Sequence, residues 1–392
     1  MTDSASSSTG VPWRSPTVQV VLASTALAPL GVPLVSPGLS VLRDVFGLTD
    51  AATSLLISSY FLVGIVLSPF IGLLSDRIGR KRTLVAGLLT FGVLGGAMAF
   101  APSFEIVLAL RIGQGTGAAA IFITTVTIIS ETFEGTQRNT VLGVNVAVLS
   151  AAAAVFPVLG GILVTAAWNA PFLTYFAAVP VALFAAVALD EPTRTPADRG
   201  VAYLRAALDA VATPATLSLF GVTFLTEFLA FGVVFTAIPF LLARIVSPVL
   251  VGLALFAAEG VSMVVAASSG RLVERFANER LVGVGFACYG VGFLTVWIAP
   301  SFLVITAGLV VVGAGIGILL PAIDAALSGR VPPEYRAGAF SLRNSTTFLG
   351  RSSGPIVFVG LAITVGLGYE RLLLAAGVVA VGVAALALST AE

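Results

Sequence analysis

Apolar residues run along this chain in long blocks separated by short polar breaks. Six blocks cover 17–42, 51–74, 83–100, 104–130, 139–165 and 171–189. A polar interval, 190–214, follows. It holds Asp190, Glu191, Arg194, Asp198, Arg199, Arg205 and three prolines. Six more blocks cover 215–243, 248–269, 281–299, 302–328, 337–363 and 371–388. Each block is long enough to cross a bilayer as a helix, which takes about 20 apolar residues. None has the two-residue alternation of a membrane barrel strand. The pattern predicts an all-α membrane protein of twelve spans. Residues 1–16 form a disordered tail, 17–189 one six-helix bundle, 190–214 a linker, 215–388 a second six-helix bundle and 389–392 a closing tail.

Composition narrows the choice. Of the 392 residues 58% are hydrophobic and only 10% charged, where a soluble chain carries about 25% charged. A soluble enzyme and a nucleic-acid binder are both poor fits, so no nucleic-acid partner is expected. Basic residues are unevenly placed. With an even number of spans both ends share one side, and the loops there hold Arg77, Arg80, Lys81, Arg82, Arg138, Arg199, Arg275, Arg280, Arg330 and Arg336. The opposite loops hold Arg43, Arg244 and Arg371. Positive charge favours the cytoplasmic side, so both termini and the linker are expected there.

The two groups of six repeat each other. The fixed offset that carries Ala101 to Ala299 also lays Pro102-Ser103-Phe104 on Pro300-Ser301-Phe302. Without a gap it carries Gly72 to Gly270, Arg77 to Arg275, Gly115 to Gly313, Arg138 to Arg336 and Pro157 to Pro355. Two parallel six-helix repeats are typical of transporters, with the site between them near mid-membrane.

The sharpest local signal is Gly72-Leu-Leu-Ser-Asp76-Arg77-Ile-Gly79-Arg80-Lys81-Arg82. Gly72 is expected to admit a neighbouring helix and Gly79 to make a tight turn. Asp76 suits the free N–H groups at the start of another helix. The string resembles the major facilitator superfamily signature G-x-x-x-D-R-x-G-R-[KR]. A degraded copy lies between Gly270 and Arg280, with Glu274 in place of the acid. Arg111-Ile-Gly-Gln114-Gly115-Thr-Gly117 resembles the R-x-x-Q-G-x-G pattern that accompanies proton coupling in antiporters of that superfamily. A structural arginine, bonding carbonyls freed by Pro29, Pro33 and Pro37, is the alternative. Phe156-Pro157-Val-Leu-Gly160-Gly161 resembles the antiporter motif G-P-x-x-G-G, with Phe156 in place of the first glycine. Gly350, Gly354 and Pro355 repeat the theme, and Pro157, Gly354 and Pro355 are expected helix kinks. The resemblance spans 17–388 and points to the twelve-helix drug/proton antiporter group. It implies two rocking halves, and a cytoplasmic gate of Gly72, Asp76, Arg77, Gly79, Arg80 and Glu131.

Charges inside the spans carry the coupling argument, because an intramembrane ionisable group is costly and marks function by default. Glu227, Glu259 and Arg351 fall near mid-membrane. Asp324 and Arg343 fall nearer the end of their spans and could pair. There is no histidine and only one cysteine, so a proton carrier would be a carboxylate and a metal site is not expected. Two acids against Arg351 leave one carboxylate over. By the repeat the spans of Glu227 and Arg351 correspond to the first and fifth, which the resemblance implies lie side by side; Glu227 is then the partner of Arg351 and Glu259 the proton carrier, with the swapped roles as the alternative. Tyr60, Gln114, Asn145 and Asn344 are the few polar candidates for a substrate cavity. The reading is a secondary transporter, not an enzyme, that exports hydrophobic or amphipathic small molecules against protons. It needs no cofactor and works as a monomer in a prokaryotic plasma membrane, among membrane lipid. A sugar or metabolite carrier of the same fold is the alternative, and a non-transporting receptor or scaffold a remote one.

Overall fold

The computed structural model describes residues 10–192, 201–299 and 301–390. The expected tail at 1–9, the linker charges Arg194, Asp198 and Arg199, Pro300 of the repeated tetrapeptide and the last two residues lie outside them. Every element among the described residues is helical. Among the described residues twelve helices are long and apolar enough to cross a membrane.

In chain order the first six are α1 (Pro16–Phe46), α2 (Asp50–Ile78), α3 (Arg80–Phe100), α4 (Phe104–Thr132), α5 (Gly135–Ala166) and α6 (Ala170–Ala188). The interval expected to be a plain linker contains a further helix, α7 (Val201–Val211). Its Tyr203 hydroxyl donates to the Glu334 carbonyl at 3.0 Å and accepts from the Gly338 amide at 3.2 Å. The second six are α8 (Pro214–Leu242), α9 (Pro248–Arg275), α10 (Asn278–Trp297), α11 (Phe302–Arg330), α12 (Arg336–Ile363) and α13 (Gly368–Ser389).

Two spans are irregular for reasons written in their prolines. In α1, Pro29, Pro33 and Pro37 lack the amide that an α-helix needs. The α-helical part ends at Leu27, tight turns follow, and α-helix resumes at Leu39. In α8 the backbone widens into a π-helical stretch, Ala230–Ala237, just before Pro239. In α-geometry the Phe235 carbonyl would look to residue 239, which has no amide. Here the Ser36 hydroxyl donates to it at 2.5 Å, joining α1 to α8.

The halves meet along two further seams. Between α2 and α12, Ser352 donates to the Ser58 carbonyl at 2.9 Å and Phe61 stacks on Phe348 with centroids 6.0 Å apart. Between α5 and α9 the approach is backbone to backbone: a Cβ on Gly161 would strike the Pro248 carbonyl, and one on Gly252 the Pro157 carbonyl. Small residues let membrane helices approach this closely. The α5 proline–glycine motif therefore sits at the contact between the two halves.

Candidate functional site: buried charge clusters between the halves

The first cluster is built on Arg111, which is fully buried in α4. Its Nε donates to the Leu56 carbonyl of α2 at 3.0 Å, and Nη1 to Gln114 Oε1 at 2.7 Å and the Tyr175 hydroxyl at 3.1 Å. Its Nη2 donates to the Gly31 carbonyl, in the break that the prolines open in α1. Tyr60 covers the guanidinium, with the ring centroid 4.4 Å away. A buried cation survives only when its donors are satisfied, and four oxygens satisfy this one. Two cavity candidates are thereby corrected. Gln114 and Tyr60 do not line open space; both are buried around Arg111. Asn145 is also buried, its Oδ1 accepting from Thr25 at 2.6 Å. Asn344 alone of the four is half-buried.

The second cluster joins α8, α9 and α12. Arg351 donates from Nε to Glu227 Oε2 at 2.9 Å and from Nη2 to Oε1 at 3.1 Å. Two aromatic rings frame the guanidinium, Phe231 at 4.7 Å and Phe61 at 5.5 Å from its centre. Such contacts strengthen when desolvated. Phe61 belongs to the first half and Phe231 to the second, so the pair lies on the seam. Glu227 is nearly closed off, at 4% side-chain exposure, while Arg351 keeps 26%. Glu259 is half-buried and within electrostatic reach of both charges. Among the described residues it makes no hydrogen bond or ion pair. Gly350 and Gly354 allow this geometry: a Cβ on either would run into the Phe224 or Phe228 carbonyl of α8. Further along, Arg343 Nη2 stands 3.2 Å from Asp324 Oδ1, an ion pair without hydrogen-bond alignment.

The third cluster ties the loop between α2 and α3 to the end of α4. Arg80 bonds Asp76 through Nη2. It also holds Glu131 through Nε at 3.0 Å and Nη2 at 2.7 Å. Gly79 takes φ +107°, where an L side chain is strained. Two expectations change here, those for Gly72 and Asp76. Gly72 faces open space rather than a packed helix. Arg77 points outward, and Arg80 makes the pairs. Asp76 does not cap a helix start; Glu191 does that for α3, accepting from the Arg80 amide at 2.5 Å and the Lys81 amide at 3.2 Å. A carboxylate there complements the helix dipole. Glu191 was read as a linker charge, and only its position just past α6 hinted otherwise.

A fourth cluster has no counterpart in the sequence reading. At the face opposite the chain ends, buried Asp50 accepts from Arg43 at 2.8 Å and from the Tyr369 hydroxyl at 2.9 Å. Arg244 lies 5.6 Å from the centre of the Tyr369 ring. The two halves are therefore tied at that face by Asp50–Tyr369 as well as by Ser36–Phe235.

A repeated six-helix membrane bundle with charge clusters on the seam between its halves is transporter architecture. The sequence profile of the Major Facilitator Superfamily matches residues 21–243 and again 219–391. The chain belongs to that superfamily of transporters. It is 26% identical to the bacillibactin exporter of Bacillus subtilis (strain 168) over 348 residues, which cover 85% of this chain and 86% of the exporter. It is 26% identical to a chloramphenicol resistance protein of Pseudomonas aeruginosa, covering 79% of this chain and 76% of that one. Its fold matches the crystal structure of a D-xylose-proton symporter with a TM-score of 0.80, over 96% of this chain and 98% of that chain at 16% identity.

Proposed function

We propose that this transporter exports hydrophobic or amphipathic small molecules and is driven by protons entering in exchange. The observation that carries the reading is the surplus carboxylate. Arg351 is engaged by Glu227, and Glu259 stands beside them, half-buried and without a hydrogen-bond or ion-pair partner among the described residues. A group placed so can gain or lose a proton without breaking a salt bridge, and it can meet a substrate's positive charge in turn. The bacillibactin exporter supports export as the direction. A sugar carrier of the same fold is the second reading, and the symporter's likeness in fold favours it. The withdrawal of Gln114, Asn145 and Tyr60 into buried bonds argues against it, since a sugar site needs several convergent polar groups. The basic loops support a cytoplasmic location of both termini, in a prokaryotic plasma membrane. No cofactor is needed for this cycle, and one chain contains both halves.

The test is transport in proteoliposomes under an imposed pH gradient, with lipophilic cations, neutral amphipaths and sugars compared. Gradient-dependent movement of an amphipath, accompanied by counter-movement of protons, is the expected result. Movement of sugar alone, or transport indifferent to the gradient, overturns the reading.

A further inference from the structure

One cavity among the described residues lies away from the seam between the halves. It is a crevice of about 460 Å³ between α2 and α3, floored by α4 and lined mainly by apolar side chains such as Leu67, Phe70 and Leu74. Its origin is a packing asymmetry. Gly87 and Gly117 press α3 onto α4: a Cβ on Gly117 would lie 2.6 Å from the Gly87 carbonyl. No such contact draws α3 onto α2, and Gly72 faces open space. The two helices part above the small α4 residues Gly117 and Ala120.

The crevice opens to lipid rather than to the substrate path. Leu62, Val66, Phe70, Leu74 and Ile78 recur every four residues along α2 and are all more than 40% exposed. One helix face is thus apolar and outward along its length, as a lipid-facing surface must be. At the mouth, where the crevice reaches the basic loop, stands Arg77. It is exposed and, among the described residues, has no ion pair or hydrogen bond, since the neighbouring acid Asp76 is held by Arg80. An apolar slot in a bilayer fills with hydrocarbon, and an unpaired arginine at its interfacial end selects negative charge.

We propose that this crevice is a binding site for an anionic phospholipid, one acyl chain lying between α2 and α3 and the phosphate resting on Arg77. The chain would fill the space that helix packing leaves between α2 and α3. The headgroup would neutralise Arg77, which neither Asp76 nor Glu131 engages. The site is independent of the transported molecule and of the coupling ion.

The full-length protein is placed in vesicles of phosphatidylethanolamine and phosphatidylglycerol with a trace of phosphatidylglycerol bearing a photoreactive group in its acyl chain. A phosphatidylcholine probe of the same kind runs in parallel. After illumination, adducts from the phosphatidylglycerol probe are expected to concentrate on residues 67–90. Ala86→Phe, which fills the slot from its lipid-exposed wall, lowers adducts of both probes there. Arg77→Gln lowers the phosphatidylglycerol adducts about fivefold, the contribution of one basic residue near an anionic surface, and leaves the phosphatidylcholine adducts unchanged. Adducts no denser at 67–90 than on the lipid face of α13, or unchanged in both variants, overturn the proposal. A loss in Ala86→Phe with no probe preference and no effect of Arg77→Gln also overturns it, because the site would then select no charge.

Discussion

Arg351 in α12 holds Glu227 in α8 with two hydrogen bonds, of 2.9 and 3.1 Å, although 124 residues separate them. The parallel alignment of planar guanidinium and carboxylate is the strongest geometry such a pair can adopt. Phe61 reaches the same guanidinium from the other half of the molecule. A movement of one half against the other therefore changes the surroundings of this pair without having to break it.

Glu227→Gln should mainly harm stability. Removing one partner strands Arg351 in a low-dielectric seam, which costs about 3–5 kcal/mol for a fully buried pair. The loss should fall below that range because Arg351 keeps 26% of its side-chain exposure. Adding Arg351→Gln removes the stranded charge and should restore part of the loss. Thermal unfolding of the single and double variants in detergent checks this; a double variant less stable than Glu227→Gln would contradict it.

Tyr369→Phe should loosen the face opposite the chain ends. The variant takes one hydrogen bond from buried Asp50 and leaves the one from Arg43. A hydrogen bond to a charged group is worth about 1.5–3 kcal/mol net, so the population open at that face should rise about tenfold or more. A cysteine replacing buried Ser40 reports it, through its labelling rate by a membrane-impermeant reagent added from that face. An unchanged rate would show that the Ser36–Phe235 bond alone holds the closure.

The twelve spans and the duplication were legible because lipid demands long apolar runs and a repeat preserves its landmarks. The Glu227–Arg351 pair was legible for a related reason, since the repeat relates α8 and α12 to α1 and α5. What stayed hidden depends on rotation about helix axes. The spans are apolar nearly all round, so the inward face of each carries no mark. Hence Gln114 and Tyr60 read as cavity residues while they serve Arg111, and Tyr175 went unnoticed as the third polar side chain around it. The Asp50–Tyr369 tie and the Glu191 cap were hidden differently. Both use charged residues at span ends, where a solvated loop looks the same in sequence. Helix α7 was concealed by its charged and proline-rich flanks.

Asp76→Asn should impair transport much more than binding. Asp76, Arg80 and Glu131 bind the ends of α2, α3 and α4 into one unit at the face that carries the chain ends. That unit lies far from the Arg351 seam. Weakening it shifts the balance between conformations and leaves pocket contacts intact. Ligand binding to detergent-solubilised protein should stay near the wild-type value while gradient-driven transport falls. Transport at the wild-type rate would count against the latch.

Glu259→Gln should separate proton coupling from substrate movement. Glu227 is committed to Arg351 through both carboxylate oxygens. Glu259, in the middle of α9, is half-buried and has no hydrogen bond or ion pair among the described residues, yet it lies within electrostatic reach of both charges. If it takes the proton on one side and yields it on the other, the amide variant is fixed in the protonated-like state. Transport driven by a pH gradient should then be abolished, while exchange of labelled for unlabelled substrate continues, because exchange needs no net proton transfer. The decisive comparison is proton release on substrate binding, measured for both single variants in weakly buffered solution. The expected outcome is no release from Glu259→Gln and residual release from whatever Glu227→Gln protein remains folded. Normal release from Glu259→Gln with none from Glu227→Gln would reverse the two roles and make the Arg351 pair itself the proton-exchanging element.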